Sequence, residues 1–262
     1  MAKLLPDRNS LRKGAPRPDE RLANCAKSDS FYPMGLYLPR AGEIIDLKGQ
    51  SAAASGSLQH VHAYPGRDDL LIKVVRKNFA ESKWTGWRGW LKRRRRLGVL
   101  TSALRTITEH LAMRNAGVFP GRHLQEFVAL VETSEGIGVV VRALRGRDGG
   151  YAPTLRTLLE QRRFNRQTQT LLDEFADWLI GSPLIVGDLH IGNIVLAHDE
   201  EHGERLVLVD GMGEKNLIPL NTFFPGLNRT NTRDRLKRMR QVIARRLAVA
   251  ERATPPAPAG VA

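Results

Sequence analysis

Cysteine is almost missing from this 262-residue chain, and its one copy, Cys25, excludes an intramolecular disulfide framework and any zinc site built on paired thiols. Long apolar runs are missing too. No stretch approaches the roughly 18 apolar residues that a membrane-spanning helix requires. The opening MAKLLPDRNSLRKGAPRPDER breaks any apolar segment after two leucines, which argues against a secretory signal. A reducing cytoplasm is therefore the expected setting. Acid is in short supply: 27 Asp+Glu stand against 41 Lys+Arg, a formal net charge of +14. What is present, 42% hydrophobic and 26% charged residues, is globular composition and excludes wholesale disorder. The length suits one large domain or two small lobes around a sizeable core.

The positive charge is concentrated. Residues 76–96 carry nine basic side chains and one acid, Glu81, for a net +8. Residues 229–246 carry eight basic side chains and one acid, Asp234, for +7. The remainder of the chain sums to −1. Two patches on a neutral body point to an anionic surface or substrate rather than to a generally basic protein.

Residues 1–40 are rich in Pro, Arg, Lys, Asp and Ser without sustained periodicity and read as a flexible arm; residues 251–262 read as a disordered Pro/Ala tail. Between them, Glu43–Leu47, Leu58–Ala63 and Leu70–Val75 have strand character and Gly-containing separators, as in an antiparallel meander. Leu100–Ala116 has helical apolar spacing with Gly117 behind it, and Phe127–Val131 and Gly138–Ala143 read as two further strands. After a hinge at Arg145–Gly150 the pattern turns helical. Thr154–Gln161 and Gln167–Ile180 are amphipathic, Asn193–Ala197 and Leu206–Val209 form a hairpin, and a basic helix runs near Arg233–Ala250. The expected fold class is α+β and bilobal. An N-lobe of antiparallel sheet plus one helix spans 41–144, with a basic insertion near 77–98, and a small, mostly helical C-lobe spans 145–250.

Chemistry concentrates in Val186–Leu196, VGDLHIGNIVL, and Leu206–Gly213, LVLVDGMG. Asp188 and Asn193 are five apart, and Asp210 directly follows an apolar strand. Phosphoryl transfer uses these residue types in this order: one Asp to orient the acceptor hydroxyl and take its proton, then an Asn and a second Asp to hold magnesium. Magnesium demands such hard oxygen ligands. Upstream, Lys73 stands in the apolar strand LLIKVV, where an ammonium needs a reason, and Glu109 on the following helix is a candidate partner. Between the first strands, Gly49, Ser55 and Gly56 supply small residues suited to a loop over phosphates, although G-x-G-x-x-G is absent. Taken singly, each has a plainer explanation: a cap, a turn, or an edge-strand lysine that blocks aggregation.

VGDLHIGNIVL resembles the catalytic loop of the aminoglycoside phosphotransferase and lipopolysaccharide kinase branch of the protein-kinase-like superfamily, where a His follows the catalytic Asp by two. More narrowly, LVLVDGMGEKNLIPLNTF resembles the matching stretch of the PhoP regulatory network protein YrbL family, with its D-x-x-G-x-x-x-L-I-P-L signature. The likeness extends over IKVV, ITEHLAMRNAG and LVETSEGIGVVV, about residues 45–245. It implies a kinase-like fold, ATP and Mg2+ as cofactors, Asp188 as catalytic Asp, Asn193 and Asp210 as metal ligands, and Lys73 with Glu109 as the ATP-positioning pair. Val186 stands where many kinases have His, Gly211 and Met212 replace Phe-Gly, and no A-P-E follows. The missing A-P-E favours a small molecule or glycan over a protein as phosphoryl acceptor, and the basic patches point to a sugar or anionic envelope glycolipid.

In WTGWRGWLKRRRRL, Trp84, Trp87 and Trp90 recur at three-residue spacing ahead of Arg93, Arg94, Arg95 and Arg96. A basic, Trp-rich amphipathic helix suits peripheral contact with an anionic membrane, here the inner face, or with phosphates of a lipid-A type. A solvated basic helix packed on the lobe is the plain alternative. Nucleic acid is the disfavoured partner, since no recognisable nucleic-acid module accompanies the patch. A nucleotide-binding pseudokinase scaffold is the alternative to an active enzyme.

Overall fold

Residues 44–49, 54–55, 59–75, 100–118, 122–214 and 220–252 are described by a computed structural model. The arm 1–40, Gly56, the Trp/Arg segment 84–96 and the tail from 253 lie outside them. The apolar run LLIKVV forms the heart of strand β4 (Arg67–Val75), in which Leu70, Leu71, Ile72, Val74 and Val75 are all buried. A strand apolar on both faces must sit in the middle of a sheet. It is flanked by β3 (Gln59–Tyr64) and β6 (Gly136–Arg142), both antiparallel to it. Adding β5 (Phe127–Thr133), β2 (Ala54–Ser55) and β1 (Ile44–Ile45) completes the order β1-β5-β6-β4-β3-β2.

Two expectations need correction here. The sheet is not wholly antiparallel, because β1 runs parallel to β5, with Ile44 opposite Glu132 and Ile45 opposite Thr133. Ser134 fixes that pairing: its N–H donates to the Ile45 carbonyl (2.9 Å) and its hydroxyl accepts the Leu47 N–H (3.0 Å), which seats Leu47 in the core. The small-residue stretch expected as a loop also contains β2, which pairs with β3 through Ala54–Val61 and Ser55–His60.

Helix α1 (Thr101–Asn115) joins two cores. Ala103 packs on Leu71, Val139 and Val141 under the sheet, whereas Met113 belongs with Leu124 to the larger C-terminal core. Beyond residue 145 the chain forms α2 (Leu155–Glu160), α3 (Arg166–Gly181), the hairpin β7 (Ile194–Asp199) and β8 (Gly203–Leu208), a short α4 (Leu220–Phe223) and a long α5 (Pro225–Arg252). Side chains start the helices: Thr154 Oγ1 accepts the Thr157 N–H (3.0 Å) and Asn165 Oδ1 accepts the Thr168 N–H (2.9 Å). The basic helix begins eight residues earlier than the sequence suggests, because Pro225 is acceptable in a first turn and Asn228 and Thr232 are buried rather than terminal. Phe175 and Leu172 of α3 and Leu155 of α2 meet Leu236, Met239 and Ile243 of α5 across the hairpin residues Ile194 and Leu208.

The two parts are joined by backbone. Leu124 bridges to Leu208 in parallel fashion; the Gln125 N–H donates to the Leu208 carbonyl and the Leu208 N–H to the His123 carbonyl, each at 2.9 Å. Residues 123–125 thus extend the hairpin and set the end of β8 against the face of β4 that carries Lys73. The architecture is mixed α+β. Among the described residues no helix is long and apolar enough to cross a membrane.

Phe175 is fully buried and packs edgewise on His123 and against Trp178. Phe175→Ala should therefore lower unfolding free energy by about 3–5 kcal/mol in urea titration, with an unchanged m-value.

Candidate functional site

The pleat of β4 sends Lys73 to the face opposite Ile72, into a cleft whose apolar walls include Ala103, Val139, Val141 and Met212. There the ammonium donates to Gln125 Oε1 (2.6 Å) and to the Val209 carbonyl (2.7 Å). Burial pushes its pKa down, and the neighbouring Asp210 carboxylate opposes that shift. Gln125 is itself fixed, since its Nε2 donates to the Arg142 carbonyl (2.8 Å). No sequence motif marks Gln125. It is one polar residue before a strand, and only the backbone pairing with β8 brings it to Lys73.

Glu109 does not pair with Lys73, contrary to expectation. Its Oε2 accepts the Ile185 N–H (2.9 Å). Consecutive helix residues are rotated by about 100°, so α1 presents Glu109 to the 184–186 segment and His110 to the cleft. Burial, with the Glu214 carboxylate nearby, raises the Glu109 pKa against the lowering effect of the Ile185 N–H. His110 is pushed down to about 4, first by burial and then by the charges of Arg114 and Lys73.

Asp188, Asn193 and Asp210 are brought together mainly by main-chain bonds. The Gly211 carbonyl accepts the N–H groups of both Gly187 and Asp188 (2.9 Å each), and the Asp210 Oδ1 accepts the Gly211 N–H (2.7 Å). Asn193 Nδ2 donates to the Asp188 carbonyl (3.0 Å), while the Asn193 carbonyl accepts the Val209 N–H (2.9 Å). Gly211 has φ +87°, and a Cβ there would overlap the Asp188 carbonyl oxygen and come within 2.8 Å of Asn193 Nδ2. That crowding explains why no larger residue follows Asp210. Val186 and Met212, two of the departures noted in the sequence, are both buried and form an antiparallel bridge with each other. His190 orders its own loop by accepting the Gly192 N–H at Nδ1 (3.0 Å). From outside, Arg235 of α5 donates to the Gly187 carbonyl (2.9 Å) and Asn228 to the Leu184 carbonyl (3.0 Å).

Gly49 sits in an exposed turn after β1 and Ser55 on β2. Among the described residues no three His, Cys, Asp or Glu side chains gather into a metal-binding group.

The family model for PhoP regulatory network protein YrbL matches residues 45–244, a span from β1 to α5 that contains every element of this site. The chain belongs to the YrbL family. No curated protein matches it. Within this YrbL-family chain, the signature residues Asp210 and Gly213 thus acquire a structural meaning. Gly213 has φ +81°, and its N–H donates to the Ile185 carbonyl (2.7 Å), so the signature seals the strand-like pairing between 185–188 and 211–213.

Between pH 6.5 and about 4 the unfolded chain binds a proton at residue 110 that the folded chain excludes, so this group makes stability fall as pH is lowered through that window. His110→Gln should flatten the dependence of Tm on pH there. Gly211→Ala should lose at least about 1 kcal/mol from backbone conformation alone, more from the overlap, in thermal unfolding.

Proposed function

We propose that this YrbL-family protein is a protein-kinase-like phosphotransferase of two lobes, 41–144 and 145–250, that binds Mg-ATP between them and phosphorylates a hydroxyl of a sugar or anionic envelope glycolipid. The observation that carries this reading is the convergence at one cleft of the Lys73 ammonium with Asp210, whose turn is bonded through the Gly211 carbonyl to the Asp188 N–H. An ammonium held in an apolar cleft by a side-chain amide and one carbonyl supplies positive charge that phosphate oxygens would take up in exchange for those partners.

The donor set fits magnesium. Asn193 commits its nitrogen to the Asp188 carbonyl and keeps an amide oxygen, and Asp210 supplies a carboxylate. Two protein oxygens are few, but magnesium characteristically completes its shell with phosphate and water. When bound, the metal neutralises charge on the transferring group. Asp188 would accept the proton of the attacking hydroxyl as the new P–O bond forms and the bond to the departing ADP breaks. Lys73 would hold the α/β-phosphates. Glu109, engaged by Ile185, would act as a positioning residue that anchors α1 to the 185–188 segment. The setting this requires is the cytoplasmic face of the membrane, where the acceptor is reached peripherally.

A pseudokinase scaffold is the second reading. Lys73 without an acidic helix partner and the apolar Val186–Met212 contact favour it.

ATP at about 100 times its Kd should stabilise the protein by about 2.7 kcal/mol in thermal-shift titration, dependent on magnesium and lost in Asp210→Asn. With an accepted substrate, Asp188→Ala should cut turnover by at least about a hundredfold while sparing that shift. No shift in wild type would reject the nucleotide site. A magnesium-dependent shift without turnover on any acceptor would select the scaffold.

A further inference from the structure

The α4–α5 junction exposes an apolar cluster that nothing in the cleft uses. Leu220, Phe223, Phe224 and Leu227 are 43%, 69%, 57% and 38% exposed, four large apolar side chains within eight residues. Isolated exposed leucines are ordinary, whereas a cluster of two phenylalanines and two leucines marks a contact surface. The cluster lies where α5 begins, and α5 is firmly seated: Leu236, Met239 and Ile243 are core residues and Arg235 and Asn228 are bonded to the 184–187 segment.

Immediately beyond the cluster, Arg229, Arg233 and Lys237 recur every fourth residue along one side of α5, all exposed. None of the three makes an ion pair among the described residues. Farther along, Arg240 pairs with Asp173 (2.7 Å) and Arg246 with Glu160 (3.3 Å), whereas Arg238 and Arg245 make no ion pair among the described residues. Asp234 is the one acid between them, and the stripe remains positive by two. The cations nearest the exposed apolar cluster are therefore unpaired, and the two ion pairs of α5 lie farther along the helix.

We infer that this junction docks on an anionic lipid bilayer. Phe223, Phe224, Leu220 and Leu227 enter the boundary between headgroups and acyl chains, and Arg229, Arg233 and Lys237 hold the anionic headgroups. Charge complementarity selects this occupant. In a two-fold contact with a second copy the cationic stripe would face itself. A nucleic acid would use the phenylalanines for stacking and leave the leucines without a role. The surface is distinct from the segment 84–96 and does not depend on phosphotransfer.

The test is co-sedimentation of the full chain with vesicles of phosphatidylcholine, with and without a one-third share of phosphatidylglycerol. Wild type should bind only the anionic vesicles. Combined Arg229→Gln, Arg233→Gln and Lys237→Gln should weaken binding by roughly a hundredfold, about fivefold per charge. Phe223→Ser with Phe224→Ser should weaken it by at least about tenfold. Both variants leave 84–96 intact, so undiminished binding in both overturns the assignment. So does binding of a short RNA duplex that the charge variant weakens and the Phe variant does not, without vesicle binding. A dimer dissolved by the Phe variant, again without vesicle binding, also refutes it. Should a variant melt early, hydrogen exchange in wild type decides: added protection over 220–237 on anionic vesicles supports docking, and its absence rejects it.

Discussion

The Gly211 carbonyl accepting two N–H groups, from Gly187 and Asp188, is the bond on which the arrangement of this protein rests. It ties the loop before β7 to the turn after β8, so the three polar residues of the site cannot move independently. Gly211 itself must be glycine, because its positive φ and its distance to the Asp188 carbonyl leave no room for a side chain. The bonds from α5 to the Leu184 and Gly187 carbonyls and from Ile185 to Glu109 then hold the same segment from two further sides.

Burial explains the second constraint. Lys73 is held at the floor of an apolar cleft, where losing water disfavours its charge. A group in that position is stable only when neighbouring oxygens surround it, and Gln125, the Val209 carbonyl and Asp210 fill that role. Because Gln125 and Val209 both belong to the seam between the sheet and the hairpin, the lysine also joins the two parts of the structure. Ligand binding there would exchange one set of oxygens for another, which is a smaller change than charging a dry cavity.

Charge and packing are separated along α5. Its inner stripe is ordinary core; on its outer side Arg240 and Arg246 pair with α3 and α2, and Arg229, Arg233 and Lys237, nearer the exposed phenylalanines, are left to solvent. One helix thus seats the 184–187 segment on its inner side and presents a surface on its outer side.

Most elements were legible in the chain. LLIKVV, FVALV and GVVV are β-rich runs between turn residues, Thr154–Gln161 and Gln167–Ile180 are amphipathic stretches, and the spacing of Asp188, Asn193 and Asp210 drew attention to one site. These features are local, so periodicity and spacing reveal them. The parallel pairing of β1, the strand character of Ala54–Ser55 and the early start of α5 were not legible, since two-residue strands and a polar first turn owe their form to distant partners such as Ser134 and Leu184. By itself, the sequence determined the order of the elements, the apolar surroundings of Lys73 and the glycine at 211. Only the tertiary structure decided that Gln125 meets Lys73 and that Glu109 turns to Ile185. Those contacts span 52 and 76 residues, and they follow from the rotation of α1 and the seam with β8, which no local pattern encodes.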